Sequence, residues 1–251
     1  MKFYRLFFVF FLLFSFKSFA TAQVPDYLIV GKDTLRIQSN PLEGYLKDHP
    51  IPENLITSVS SANWRGYIAY FKFLNGKLVV ENIYKEDYVE KENGNSSSSL
   101  VSIYKEIFGK QKNFECNFYS GLLICPSGKM LQYVHMGYSS LYENYELIEI
   151  KNGVNIKSKK FNAEEFQKFK IDYFRYFKHT EEYKSQFKEF KEMGFQTGSS
   201  NSSFLIENPG TGRENKSLKK KEEEFKLEKQ IDSFMFLFLN DYIKTIEIPT
   251  K

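Results

Sequence analysis

The sequence predicts an α+β fold, an antiparallel meander sheet of about seven to nine strands with a short inserted helix and two long C-terminal helices packed on it. Three observations indicate this class. Short β-prone runs separated by turn residues crowd residues 26–158. After residue 162 the spacing of apolar residues changes to three and four. The 251 residues, 42% of them hydrophobic, suffice for one sizeable domain.

Residues 1–22 have the three parts of a secretory signal peptide. A basic start precedes an eleven-residue apolar run at 6–16, and a small-x-small cleavage site ends at Ala22. The run is shorter than the roughly 20 residues that span a bilayer. We predict cleavage between Ala22 and Gln23, and therefore a periplasmic or secreted protein with no transmembrane segment after cleavage. An uncleaved anchor is the alternative, and the lack of a cysteine at the mature start argues against a lipoprotein.

Removal of this signal leaves a nearly neutral chain. The full sequence has 35 basic and 31 acidic residues, and the signal contains three of the basic residues and no acid. Binding to a phosphate backbone requires a concentrated positive surface. We therefore expect no nucleic-acid partner.

The predicted mature chain, residues 23–251, is expected to form a single α+β domain with a strand-rich part and a helical part. Residues 23–160 are rich in strand signals, whereas residues 161–251 are helical and include a low-complexity link at 194–217. Few side chains in that link are suited to a core, so we expect it to be flexible.

The clearest hairpin is centred on Asn75-Gly76, because both residues tolerate the positive φ of a type I′ turn. Counting outward pairs Phe71 with Val80 on an apolar face and Tyr70 with Glu81 on a mixed face. Turn and capping residues also assign strands at 26–30 and 34–37, one or two helical turns at 41–49, a solvated serine-rich loop at 90–99, a helix at 100–108 stopped by Gly109, and a second Asn-Gly hairpin at 152–153.

The helical part begins at Asn162, a favourable N-cap with Glu165 in the capping-box position. Aromatic residues at spacings of three and four predict a helix of about 30 residues. We expect the aromatic stripe to pack on the sheet and on the last helix, and a surface for a partner helix is the alternative. Residues 218–246 are predicted to form this last helix.

Cys116 and Cys125 are separated by eight residues, with Ser120-Gly121 at the midpoint. A two-residue hairpin there would place them opposite each other at a Cα separation of about 4.5 Å, which suits a disulfide. In an oxidising compartment we predict that this disulfide forms. Two buried thiols in a shifted register are the alternative, and the spacing is not that of a redox or metal pair.

The sequence contains no motif that indicates a metal or an organic cofactor, and we expect neither. His135 lies in a β-prone run at 130–136. We interpret it as a structural histidine on a strand. A general base at this position is the alternative, and it would support a hydrolase.

The run Ser39-Asn40-Pro41-Leu42-Glu43 is followed by Trp64-Arg65-Gly66-Tyr67 and an apolar strand. Together these resemble a family of uncharacterised bacterial proteins with a Trp-Arg-Gly-Tyr hairpin. The resemblance covers about residues 26–85 and implies no activity. From their chemistry, Trp64 and Arg65 could stack on and hydrogen-bond to a sugar or a carboxylate. Alternatively, Trp64 fills the packed face of the sheet and Arg65 caps a loop carbonyl.

No catalytic constellation is evident beside the aromatic-rich strands. We therefore expect a non-enzymatic exported binding or interaction protein whose partner is a protein or a glycan. Two alternatives are an extracytoplasmic hydrolase of unfamiliar type and an immunity-type protein that neutralises a toxin. The candidate binding residues are Trp64, Arg65, Tyr67 and His135.

Overall fold

The computed structural model describes residues 22–56, 60–90, 96–192 and 213–249. Within these ranges the chain has an α+β fold built on one mixed sheet. The strands are β1 (Asp26–Val30), β2 (Asp33–Ile37), β3 (Ile68–Leu74), β4 (Lys77–Glu90), β5 (Ser96–Ser102), β6 (Phe114–Glu115), β7 (Gly121–Gln132), β8 (Leu141–Lys151) and β9 (Val154–Asn162). The helices are α1 (Glu43–Asp48), α2 (Tyr104–Phe108), α3 (Ala163–Phe177), α4 (Glu181–Glu192) and α5 (Arg213–Leu237), followed by a 3₁₀ turn at Leu239–Asp241.

The sheet is not the predicted antiparallel meander. Its main path runs β2-β1-β3-β4-β9-β8-β7, with β5 and β6 both paired to β4. Strands β1 and β3 run parallel, whereas the other pairs are antiparallel. Parallel neighbours require a crossover, and the segment at 38–67, which contains α1, supplies it. Turn residues in the sequence indicate only which consecutive strands form hairpins. They could not reveal the parallel pairing of β1 with β3.

The two ends of the strand path approach each other. Gln38, the residue after β2, donates its backbone N–H to the carbonyl of Ile124 in β7 at 2.8 Å. The curled sheet surrounds the inner cluster, which includes Leu28, Ile37, Phe71, Leu78, Val80, Leu123 and Ile148.

The opposite face of β7 and β8 belongs to the outer cluster, which includes Leu122, Ile124, Tyr145, Phe166, Phe169, Tyr173, Phe177, Ile231 and Met235. Side chains alternate along a strand, so the neighbours Leu122 and Leu123 enter different clusters. Helices α3, α4 and α5 supply the other side of the outer cluster.

Both Asn-Gly hairpins are confirmed. Asn75 and Gly76 have φ of 51° and 78°, and the second pair has nearly the same values. Phe71 pairs with Val80 as predicted, but a bulge next to Phe71 pairs Tyr70 with Asn82 rather than with Glu81. A bulge adds one residue to a strand and so shifts the register beyond it.

The serine-rich segment is partly misassigned in the sequence analysis. Residues 96–99 belong to β5, an edge strand along β4, and α2 covers only the second half of the helix predicted at 100–108. Residues 98–100 are exposed, so no alternation of buried and exposed positions distinguishes this strand from a loop in the sequence. Residues 91–95 lie outside the described ranges. Gly109 ends α2 with a φ of 63°, as expected.

The predicted helix of about 30 residues is two helices, α3 and α4. Its capping box is confirmed, because Asn162 and Glu165 exchange side-chain to backbone hydrogen bonds of 2.9 Å. The break lies at Thr180, whose hydroxyl accepts the backbone N–H of Tyr183 at 3.2 Å and begins α4. The aromatic spacing continues across this break and therefore hides it.

The last helix also differs from its predicted bounds. Helix α5 begins at Arg213, inside the link predicted at 194–217, and ends at Leu237 rather than at Ile246. Beyond the helix, Ile243 and Ile246 pack into the outer cluster from irregular backbone. The rest of the predicted link, up to residue 212, and residues 1–21 of the predicted signal lie outside the described ranges. No helix in the described part of the chain is long and apolar enough to cross a membrane.

The predicted disulfide is wrong. Cys116 and Cys125 are buried free thiols. Ser120-Gly121 does not form their hairpin, because β6 pairs with β4 whereas β7 pairs with β8. Burial raises the pKa of each thiol to about 12.

Candidate functional site

Two neighbouring cavities meet at Trp64. The polar cavity has a volume of about 450 Å³ and the apolar cavity about 650 Å³, and both have Glu43, Gly44 and Trp64 in their walls. The other walls of the polar cavity include Asn40, Tyr119, Asn240 and Asp241. Those of the apolar cavity include Leu46, Pro50, Ile51, Ile56 and Tyr67. We call the two together the Trp64 cleft.

Trp64 lies in the turn that precedes β3. It is 59% exposed, although its neighbours Asn63 and Arg65 are buried. The turn is closed by the backbone N–H of Gly66, which has a φ of 74° and donates to the Asn63 carbonyl at 3.0 Å. The expectation that Trp64 fills the packed face of the sheet is therefore wrong, and its ring is available in the cleft.

Arg65 holds the turn in place through buried hydrogen bonds. Its Nη1 donates to Asp26 Oδ2 at 2.8 Å, and its Nη2 donates to the Val24 carbonyl at 2.9 Å. The guanidinium carbon lies 4.8 Å from the centre of the Tyr67 ring. Asp26 Oδ1 also accepts the backbone N–H of Ala69 at 2.9 Å. This buried ion pair fixes Arg65 as a support for Trp64, so its fork is not free for a ligand carboxylate.

Tyr67 orients Glu43. The buried hydroxyl of Tyr67 donates to Glu43 Oε1 at 2.7 Å. Burial raises the pKa of Tyr67 well above its ordinary value, with the nearby Asp26 charge acting in the same direction. Tyr67 therefore remains a hydrogen-bond donor, and Glu43 presents its carboxylate to both cavities.

Asp241 reaches the polar cavity from the 3₁₀ turn. Asn40 Nδ2 donates to its Oδ1 at 3.3 Å, and the Tyr138 hydroxyl donates to Asn40 Oδ1 at 2.8 Å. Asp241 keeps exposed surface, but protein atoms crowd its carboxyl group. This desolvation raises the pKa of Asp241 to about 6, while the Arg65 charge opposes the rise and Glu43 adds to it.

The same 3₁₀ turn also supplies Asn240 to the wall of the polar cavity. It is only 4% exposed, and its Nδ2 donates to the Gln38 carbonyl at 3.3 Å. Within the described parts of the chain, no donor reaches its buried Oδ1. Asn240 therefore leaves one buried acceptor unpaired in the wall of the polar cavity.

The structure brings together three of the four predicted binding residues. Trp64, Arg65 and Tyr67 form one unit, whereas His135 lines neither cavity. Strand β7 ends at Gln132, so His135 lies in an exposed loop and not on the predicted strand. Its Nδ1 lies 3.3 Å from the Tyr133 hydroxyl.

Asn240 and Asp241 were not among the predicted site residues. A signal for them exists, because this polar pair directly follows the apolar block at 234–239. The run 39–43, noted only for its resemblance, supplies Asn40 and Glu43 to the same cavity as Trp64. Contacts across such sequence distances cannot be read from local spacing.

Comparisons with protein-family models, curated proteins and solved structures find no match to this chain. Among the described residues, no group of three or more His, Cys, Asp or Glu side chains could hold a metal ion.

Proposed function

We propose that this protein is an exported, non-enzymatic binding protein whose ligand is a glycan held in the Trp64 cleft. The observation that carries the proposal is the exposed Trp64 ring at the junction of two cavities. Binding sites typically combine aromatic walls with a few polar groups that fix orientation. Here Glu43, Asp241 and Asn40 supply those groups on one side of the ring.

The rigid support of Trp64 also favours binding. The Arg65–Asp26 pair and the Tyr67–Glu43 hydrogen bond hold the turn and the carboxylate before any ligand arrives. A preformed site loses less conformational entropy on binding than a mobile one. The proposal therefore expects little rearrangement of the cleft.

Calorimetric titration with a panel of oligosaccharides tests the proposal. Trp64→Ala is expected to weaken binding of a positive glycan at least about tenfold, because the stacking surface is lost. Phe225→Ala, which removes another exposed aromatic ring far along the chain, is the matched control and should leave binding unchanged. If no glycan binds and a native pull-down retains a single protein, the ligand is a protein and not a glycan.

Export is a separate part of the proposal and has its own test. It rests on the signal-like sequence of residues 1–22. N-terminal sequencing of the native product should start at Gln23. A product that starts at Met1 and is recovered inside the cell would contradict export.

One observation favours glycan hydrolysis as a second candidate. Asp241, whose pKa is raised to about 6, shares the polar cavity with Glu43. A carboxylic acid with a raised pKa and a second carboxyl group in the same cavity are typical of glycoside hydrolysis. New reducing ends that form with the wild type but not with Asp241→Asn would establish this activity. Recovery of intact ligand would support binding alone.

A further inference from the structure

The carboxylates of the polar cavity lack a cationic partner. Within the described residues, neither Glu43 nor Asp241 forms an ion pair, and their hydrogen bonds come from the neutral Tyr67 and Asn40 side chains. Of the cations nearby, two form ion pairs with other carboxylates, whereas Lys170, whose charge acts on Asp241, forms none among the described residues and lies over the Phe236 ring. Arg65 is bound to Asp26 at 2.8 Å, and Lys244 in the cavity wall is bound to Glu182 at 2.8 Å.

An unpaired acceptor lies in the same wall. Asn240 Oδ1 is buried without a donor, while the Nδ2 of this amide already donates to Gln38. Leaving a buried acceptor unpaired is costly. The carboxylates of Glu43 and Asp241 thus share a cavity whose wall also contains an unpaired, buried amide oxygen.

Aromatic rings complete the wall. Trp64 and Phe118 are exposed, and Tyr119 lies beside them. The faces of aromatic rings attract ammonium groups through their quadrupole. The two carboxylates and the aromatic faces both favour a ligand that is positively charged and rich in N–H donors.

We propose that the polar cavity binds a primary ammonium group, and that the natural ligand is an amino-sugar glycan. This inference rests on the proposed function for the placement of a glycan in the Trp64 cleft. The ammonium would donate to Glu43 and Asp241, and the sugar ring would stack on Trp64. A neutral sugar leaves the acceptors without a charge partner.

Two tetrasaccharides of the same stereochemistry test the inference, namely tetraglucosamine and its fully N-acetylated form. Near neutral pH a substantial fraction of the amines is charged, and acetylation removes the charge. Calorimetry should show binding of tetraglucosamine at least about tenfold tighter than binding of the acetylated form. The double variant Glu43→Gln, Asp241→Asn should lose this preference, because it keeps the side-chain shapes without the charges.

The matched control is Glu164→Gln, which removes an exposed carboxylate from the first turn of α3. It should retain the preference. Equal binding of both tetrasaccharides would overturn the inference and leave the glycan-binding function standing. A preference that survives in the double variant would overturn the inference as well.

A small probe separates the inference from the proposed function. If neither tetrasaccharide binds, Trp64 fluorescence is titrated with n-butylammonium and with neutral n-butanol. A saturable response to butylammonium that disappears in Asp241→Asn upholds the ammonium site and contradicts the glycan. The absence of any response to butylammonium contradicts the ammonium site itself.

Discussion

The inner and outer clusters share β7 and β8 but are stabilised in different ways. Paired strands surround the inner cluster, which is largely aliphatic and lies beside the buried Arg65–Asp26 pair. Helices cover the outer cluster, where aromatic rings such as Phe166 and Tyr145 stack with centroids 3.9 Å apart. Because backbone hydrogen bonds hold the strands together, we expect the inner cluster to relax less than the outer one, whose helices can shift to repack.

The largest effect is expected at the ion pair beside the inner cluster. Asp26→Asn leaves the buried Arg65 guanidinium without a counter-charge and should reduce the free energy of unfolding by about 3–5 kcal/mol. Urea denaturation measures the change. Asp172→Asn is the control, because it removes a carboxylate from an exposed pair with Arg175 and should change stability little. Equal effects of the two substitutions would contradict the buried ion pair between Asp26 and Arg65.

The neighbours Leu122 and Leu123 compare the two clusters directly. Both are buried, so Leu→Ala removes the same group from adjacent positions, at a cost of about 2–5 kcal/mol each. Leu123→Ala should lie near the top of this range and Leu122→Ala near the bottom, because the inner cluster relaxes less. Chemical denaturation of both variants tests the order. A larger loss for Leu122→Ala would refute the proposed difference in rigidity.

Asp241 lies at the junction of the two regions and should make stability depend on pH. Folding raises the pKa of Asp241 from 3.8 to about 6, against the opposing charges of Arg65 and Lys170. The folded state therefore binds this proton more tightly, and the contribution of Asp241 to stability decreases as the pH rises from about 4 to about 6.

Replacing Asp241 by Asn should remove that dependence. Because the carboxyl group is partly exposed, the gain at neutral pH should be less than about 1 kcal/mol. Thermal unfolding of both proteins across this pH range measures the difference. A wild type that becomes steadily more stable through the same range, relative to the variant, would contradict the raised pKa.

The smallest expected effect concerns Cys116 and Cys125. Both are buried in the inner cluster with a raised pKa, so thiolate formation is suppressed. Iodoacetamide without reductant should leave the native protein unmodified and add two alkyl groups in denaturant. Mass spectrometry counts the additions. If denatured protein takes up no alkyl group until a reductant is added, the cysteines form a disulfide.

Local chemistry explains what could be predicted from the sequence. The turns at Asn75-Gly76 and Asn152-Gly153 need positive φ, and the capping box at Asn162 satisfies backbone groups within four residues. These features are decided by neighbours along the chain, so sequence patterns identify them. Trp64, Arg65 and Tyr67 were recognisable in the same way, as one short motif.

The remaining features depend on distant partners. The parallel pairing of β1 with β3 and the register around Cys116 are decided by strands that the local pattern does not mention. The serine-rich β5 is a strand only because β4 lies beside it. Asp241 joins the site through Asn40, and this contact has no local signal.

The hydrogen bond between Asn40 and Asp241 joins positions 201 residues apart. During synthesis, the chain that carries Trp64 leaves the ribosome well before the segment that finishes the polar wall. A nascent chain that stops short of Asp241 can therefore display the tryptophan ring but not the complete pocket.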